Sequence, residues 1–138
     1  MRPIPLLLDT CAAIFISQGQ RLKAEGDTTM KAAAADGWPV YLSPITAWEL
    51  GLLASRGRLS LATSPLVWFQ DILDEGIDLA EMPPSVLVDS AFLPGATLRD
   101  PADRIIAATA RTFGYTVVTR DRPLLDYAEA GHLRAIAC

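Results

Sequence analysis

The stretch RDPADRIIAATA, residues 99–110, places two carboxylates at the start of an apolar segment. Asp100 precedes Pro101, and Asp103 lies three residues after Asp100. Proline is favoured at the first position of a helix, so this pattern predicts that a helix begins here. Each aspartate could satisfy backbone N–H groups at the helix end, or the pair could form one wall of an acidic site. The local sequence allows both interpretations.

Two further aspartates could likewise either cap a helix or belong to an acidic site. Asp9 ends the apolar run IPLLL, and Asp121 closely follows the β-branched run TVVT. Both positions suit a helix N-cap, and Asp103, at the third helical position, resembles the acid of a capping box. In open parallel α/β sheets, however, ligands bind beyond the carboxyl ends of the strands, where such residues lie. Capping and ligand binding are both compatible with these residues.

Glu49 differs because it lies too deep in the apolar segment ITAWELGLL to cap a helix. A buried carboxylate without a partner is unstable and tends to bind a proton. A metal ion or a nearby arginine would remove this cost, and the sequence does not choose between them. Considered together, Asp9, Glu49, Asp103 and Asp121 favour one joint acidic site. Carboxylates without histidine or cysteine form a hard oxygen donor set, which suits Mg²⁺ or Mn²⁺ and therefore phosphoryl chemistry.

Strand-like and helix-like segments alternate along the chain. Short apolar or β-branched runs predict strands, and longer segments bounded by proline and glycine predict helices. This alternation predicts an α/β fold with a parallel sheet covered on both faces. One domain is expected over residues 1–138. The predicted strands are IPLLLD, WPVYLS, IDLAEM, YTVVTRD and HLRAIAC, and the predicted helices are TCAAIFISQG, MKAAAADG, PITAWELGLLASRG, SPLVWFQDILDEG, PPSVLVDSAFLPG, DPADRIIAATARTFG and RPLLDYAEAG.

The composition argues against several classes of protein. A formal net charge of −4 does not attract nucleic acid, so a polyanion would need local arginines or metal ions to bind. No apolar run is long enough to span a membrane, and Asp9 interrupts the apolar N-terminal segment, which argues against an export signal. The two cysteines are far apart in the sequence and suit a reducing compartment, so we expect a cytoplasmic protein. The single histidine argues against a mechanism that needs two histidines.

Four segments of this chain carry recognisable motifs: LLLDTCAAIF, SPITAWELGLL, RDPADRIIAATAR and VVTRDRPLLDYAEAGHLRAIAC. They resemble motifs of the PIN-domain ribonucleases and are most similar to VapC-type toxins of toxin–antitoxin pairs. The resemblance places the family's acidic quartet on Asp9, Glu49, Asp103 and Asp121 and implies a three-layer α/β/α sandwich with a mostly parallel five-stranded sheet. It also implies a metal-dependent endoribonuclease that uses Mg²⁺ or Mn²⁺ to cleave RNA, a homodimer and a cognate antitoxin protein.

The resemblance implies two supporting residues and includes one departure. Asp100 matches a further aspartate of the motif. Thr119 matches a hydroxyl residue two positions before the last aspartate, where it would position that acid or a metal-bound water. Relatives often carry histidine directly before RDPAD, where this chain has Leu98. A leucine cannot transfer a proton or bind a phosphate, but the substitution leaves the acids unaltered.

Several arginines lie near these motifs. Guanidinium groups bind phosphate through two N–H groups, so we predict that Arg104, Arg120 and Arg122 contact RNA. The alternative is that they pair with neighbouring aspartates and keep the surface soluble.

Other functions fit parts of the sequence. An aspartate that ends a first strand also serves phosphotransfer enzymes, but Asp9 has no second aspartate two residues later, and Lys23 and Lys31 are the only lysines. A non-toxin RNA-processing nuclease of the same fold and a non-catalytic interaction module are the two alternatives to a toxin.

Overall fold

A parallel five-stranded sheet lies at the centre of the fold, as predicted. The computed structural model describes residues 3–95 and 97–138 of the chain. The strands in these residues are β1 (Leu6–Leu8), β2 (Val40–Leu42), β3 (Asp78–Leu79), β4 (Thr116–Thr119) and β5 (Arg134–Ala137).

The first strand occupies the middle of the sheet. The strand order is β3-β2-β1-β4-β5, and every neighbouring pair is parallel. Leu8 of β1 is in register with Leu42 of β2 on one side and with Val118 of β4 on the other. Leu6, Leu7 and Leu8 are all fully buried, which explains why this strand is a continuous apolar run rather than an alternating one.

Helices cover both faces of the sheet and form two hydrophobic clusters with it. Leu6 and Leu8 pack in one cluster with residues of the first four helices, whereas Leu7 packs in the other with residues of the sixth and seventh. Within the described residues, no helix has the length and apolar character needed to cross a membrane. The helices are α1 (Thr10–Ser17), α2 (Ala24–Asp36), α3 (Pro44–Ser55), α4 (Pro65–Asp74), α5 (Pro84–Asp89), α6 (Pro101–Phe113) and α7 (Arg122–Glu129).

The ends of α6 are those that its sequence predicts. Pro101 is its first residue, and the side chain of Asp100 caps it by accepting a hydrogen bond from the backbone N–H of Asp103 at 3.0 Å. Gly114 ends the helix in the left-handed conformation, with φ of 74°. These signals fix where the helix starts and therefore where Asp103 lies.

Helix α2 begins at Ala24, so the prediction of a start at Met30 was wrong. The residues before Met30, QRLKAEGDTT, form a polar stretch that does not by itself predict a helix. Within it, Gly26 is required by packing: a Cβ atom at this position would lie 2.8 Å from the Cβ of Cys138. Asp27, in the first turn, also favours the helix because it lies at the positive end of the helix dipole.

All five strands are shorter than predicted, and β3 and α5 are shortened most. Strand β3 contains only Asp78 and Leu79, and it is an edge strand that pairs with β2 alone. Helix α5 ends at Asp89 rather than at residue 95, and the next residue, Ser90, donates its hydroxyl hydrogen bond back to the carbonyl of Leu87 at 2.6 Å.

Candidate active site

The four predicted acids approach one edge of the sheet. Asp9 directly follows β1 and Asp121 closely follows β4, and these two parallel strands are neighbours. Asp103 lies in the first turn of α6, and Glu49 lies within α3. Burial, and after it the negative charge of the neighbouring acids, raises the pKa of Asp9, Glu49 and Asp103. The fold therefore gathers these side chains into one electrostatic unit.

Asp9 caps a helix and also belongs to the acidic site. Its Oδ1 accepts a hydrogen bond from the backbone N–H of Ala12 at 2.7 Å, and its Oδ2 accepts one from the hydroxyl of Thr119. The Thr119 Oγ1 in turn accepts a hydrogen bond from the backbone N–H of Asp121 at 2.9 Å. Asp9 is only 2% exposed, and burial raises its pKa to about 6 in spite of these hydrogen bonds. The prediction that Asp9 caps a helix is therefore confirmed, and ligand binding by this residue stays a prediction.

Asp103 faces the carboxyl group of Asp121. Burial, followed by repulsion from the charges of Asp121 and Asp100, raises the pKa of Asp103 to about 8. Asp121 itself caps α7, accepting a hydrogen bond from the backbone N–H of Leu124 at 3.3 Å. Burial and the neighbouring negative charges therefore favour the protonated form of Asp103 in the metal-free protein.

Glu49 is held by threonines, which the sequence analysis missed. The Thr10 hydroxyl donates a hydrogen bond to Oε1 of Glu49, and Thr46 Oγ1 lies 3.0 Å from Thr10 Oγ1. In the described part of the chain, no ion pair involves Glu49. The arginine partner that the sequence allowed is therefore not what stabilises it there. The available signal was the position of Thr10 directly after Asp9 and of Thr46 one helical turn before Glu49.

The donor set suits a hard divalent cation in its chemistry and charge. All candidate ligand atoms are carboxylate oxygens, and they are crowded enough to raise one another's pKa values. Among residues 3–95 and 97–138, no three His, Cys, Asp or Glu side chains are already arranged as a finished coordination group. The acids thus lie near one another, and one oxygen each of Asp9 and Glu49 accepts a hydrogen bond from a threonine hydroxyl.

Arg104 is used to build the scaffold. Its Nε donates to the carbonyl of Ser90 at 2.8 Å, and its Nη1 donates to the carbonyl of Leu98 at 2.5 Å. These contacts fasten the segment between α5 and α6 onto α6. Leu98, at the position where relatives often have histidine, is 1% exposed and packs in the core.

Arg120 and Arg122 also have contacts within the protein. Arg120 lies over the ring of Phe15, with its Cζ 4.0 Å from the ring centroid, and donates to the carbonyl of Cys138 at 3.0 Å. Arg122 is exposed and pairs with Asp126 of its own helix at 2.9 Å. Phosphate binding by these arginines stays a prediction.

A cavity of about 300 Å³ opens beside Glu49, between α3 and the start of α6. Trp48, Leu52 and Leu53 provide an apolar wall, and the side chain of Trp48 is half exposed. Arg56 and Asp100 add one charge of each sign to the lining. An apolar surface thus adjoins the acidic site.

Comparison with known proteins agrees with this architecture. The family model described as "PIN domain" matches residues 6–130. Ribonuclease VapC22 of Mycobacterium tuberculosis is 35% identical over 123 residues, which cover 88% of this chain and 91% of that protein. The solved structure of DNA-bound VapBC from Salmonella typhimurium aligns with a TM-score of 0.65 at 20% identity over 97% of this chain and 98% of that one. The structure of FitAcB from Neisseria gonorrhoeae aligns with a TM-score of 0.53 at 26% identity over 94% and 95%.

The raised pKa values of Asp9 and Asp103 predict how the stability of the metal-free protein depends on pH. Between about pH 4 and about pH 8 the unfolded chain loses protons that the folded site retains, so the free energy of unfolding should decrease as the pH rises. In EDTA, the melting temperature should therefore be several degrees lower at about pH 8.5 than at about pH 5. Asp103→Asn should flatten this slope, whereas Asp74→Asn on α4 should not. A melting temperature that rises with pH would contradict this account.

Proposed function

The chain belongs to the PIN domain family, and on this basis we propose that it is a metal-dependent endoribonuclease, the toxin of a toxin–antitoxin pair. The observation that carries the proposal is the meeting of Asp103 with Asp121 and Asp9 at the carboxyl edge of the sheet. Such a concentration of carboxylates opposes folding unless a cation compensates it. The relative named ribonuclease VapC22 supports RNA as the substrate. The two cysteines, far apart in the sequence, support the cytoplasm as the place of action because they suit a reducing compartment.

Asp9, Glu49, Asp103 and Asp121 would hold Mg²⁺ or Mn²⁺. When bound, such an ion supplies an activated water and neutralises the charge of a phosphodiester, which the net charge of −4 would otherwise repel. The protein's own contribution is orientation. Thr119 fixes Asp9 through Oδ2, and Asp100 holds the backbone at Asp103.

A cognate antitoxin is proposed to occupy the cavity beside Glu49. The lining of the cavity combines apolar side chains with the acids Glu49 and Asp100 and the cation Arg56. An amphipathic segment complements this arrangement if its apolar face covers Leu52 and Leu53, its cation reaches the acids and its carboxylate meets Arg56. That cation would compete with the metal ion and block cleavage without unfolding the enzyme.

A second copy of the chain is proposed to bind at a different surface, which we call the Phe92 face. Phe92 is 81% exposed, and it adjoins a cavity of about 280 Å³ lined also by Asp89, Ala108 and Arg111. The carbonyl of Pro94 accepts a hydrogen bond from the Tyr127 hydroxyl, which holds the segment in place.

The Phe92 face is complementary to itself. It offers an aromatic side chain, a cavity, one acid and one cation. A two-fold axis would place Phe92 of one copy against the cavity of the other, and Asp89 of one copy against Arg111 of the other. Burying such an exposed phenylalanine is favourable, and two symmetric Asp89–Arg111 pairs would set the orientation.

The catalytic proposal predicts that Asp9→Asn abolishes RNA cleavage while the fold is kept, because the change removes a ligand charge but preserves size and capping atoms. We expect the rate in Mg²⁺ to fall below about one-hundredth of the wild-type rate, since even an outer partner of a metal ligand is worth about 10- to 100-fold. Cleavage of total RNA in Mg²⁺ or in EDTA, with circular dichroism for the fold, tests this. Asp74→Asn is the control, and an Asp9→Asn protein that cleaves at the wild-type rate refutes the mechanism.

The antitoxin proposal predicts that Trp48→Ala weakens binding of the partner by more than about 10-fold, because a buried aromatic contact is worth about 2 kcal/mol at an interface. The partner to be tested is the product of the reading frame immediately upstream, measured by co-purification and by calorimetry. Leu66→Ala is the control, because Leu66 is a similarly exposed apolar residue on α4. If no upstream product binds, a solitary RNA-processing nuclease becomes the better account.

The dimer proposal predicts that the wild-type protein is a dimer at low micromolar concentration and that Phe92→Ser is a monomer, as measured by light scattering after gel filtration. Asp89→Arg and Arg111→Asp should each weaken the dimer because they oppose like charges. The double variant restores both symmetric pairs and should recover dimerisation. Leu66→Ser is the matched control, and a Phe92→Ser protein that stays dimeric excludes this surface.

A further inference from the structure

Two buried threonines and Glu49 form a short chain of hydrogen bonds between α1 and α3. Thr10, the first residue of α1, is 4% exposed, and Thr46 on α3 is fully buried. Thr10 Oγ1 contacts Oε1 of Glu49 on one side and lies 3.0 Å from Thr46 Oγ1 on the other. The chain therefore joins the helix that Asp9 caps to the helix that carries Glu49.

The direction of these hydrogen bonds follows from counting protons. An ionised carboxylate only accepts, so the single hydroxyl proton of Thr10 points to Glu49. Because this proton is used, the Thr10 oxygen can only accept a hydrogen bond from its other neighbour. The Thr46 hydroxyl must therefore donate to Thr10. Both threonines are β-branched and have few side-chain rotamers, which leaves the flexible glutamate as the group that is being oriented.

The two oxygens of Glu49 have different surroundings. Oε1 accepts from Thr10, whereas Oε2 receives no hydrogen bond from the described residues. Among the described residues, Arg120 Nε is the fully buried side-chain polar atom without a partner, so Oε2 of Glu49 is not fully enclosed. One oxygen is thus held inside the protein, and the other is available to a ligand.

We propose that Thr10 is a positioning residue that fixes Oε1 of Glu49 and so presents Oε2 as a ligand for the divalent cation, with Thr46 fixing the direction of the Thr10 hydroxyl. This inference rests on the metal site of the proposed function, but it assigns a role to residues outside the acidic quartet. Without Thr10, the carboxylate loses a charge-assisted hydrogen bond and must be ordered by the ion itself, which costs affinity.

The test is the affinity of the purified protein for Mn²⁺, measured by calorimetry and by the rise in melting temperature. Thr10→Val keeps the shape of the side chain and removes the hydroxyl, and we expect it to weaken Mn²⁺ binding by about 10-fold or more, as for other outer partners of metal ligands. Thr10→Ser retains the hydroxyl and should restore most of the affinity. Thr46→Val should have a smaller effect, because Thr10 can still donate to Glu49.

Thr109→Val is the matched control. Thr109 is also fully buried, but its hydroxyl donates to the carbonyl of Ile105 within α6, at 2.7 Å. Its loss should change stability without changing Mn²⁺ affinity. In a Glu49→Gln background, Thr10→Val should have no further effect on Mn²⁺ affinity, because the group that it orients has already lost its charge.

RNA cleavage separates this inference from the proposed function. If Thr10 acts through the ion, excess Mn²⁺ should restore the cleavage rate of Thr10→Val, which it would not do for a variant damaged in folding. A wild-type protein that binds Mn²⁺ but cleaves no RNA refutes the nuclease and leaves the role of Thr10 intact. Wild-type Mn²⁺ affinity in Thr10→Val, or no Mn²⁺ binding by the wild-type protein, overturns the inference.

Discussion

Repulsion among carboxylates that are partly removed from water is the constraint on which this structure depends. Asp9 and Asp103 have pKa values raised to about 6 and about 8, with burial as the main cause and neighbouring acids as a further one. The metal-free fold must offset this cost with its core. The buried apolar strand β1 and the two hydrophobic clusters on its faces form that core and stabilise the fold against the cost of the acids.

Backbone and hydroxyl groups hold the acids in place. Asp9 and Asp121 each have one oxygen engaged with the first turn of a helix, and Asp100 fixes the turn that carries Asp103. The positive ends of three helices therefore lie at the negative site and reduce its cost. Capping and membership of the acidic cluster, which appear as competing explanations in the sequence, occur together in Asp9 and Asp121.

The arginines illustrate how tertiary contacts redirect charged side chains. Arg104 donates to two backbone carbonyls, and Arg120 lies over an aromatic ring beside the end of β5. These two guanidinium groups are thus engaged with backbone carbonyls and an aromatic ring rather than paired with the acids. The acidic edge would therefore attract a metal ion or a basic antitoxin segment. The Phe92 face, which has one acid and one cation, would instead suit a second copy.

The sequence by itself determined the alternation of strands and helices, the parallel sheet and the position of each acid at the end of a strand or in a helix, because periodicity and proline and glycine signals are local. It also marked Glu49 as unable to cap. Only the tertiary structure decided that α2 starts at Ala24, because the close approach of Cys138 to Gly26 joins distant segments. The same holds for Thr10, whose contacts with Thr46 and Glu49 join residues 36 and 39 positions apart. The positions of Thr10 after Asp9 and of Thr46 one turn before Glu49 are visible in the sequence, but only the packing of α1 against α3 brings them together.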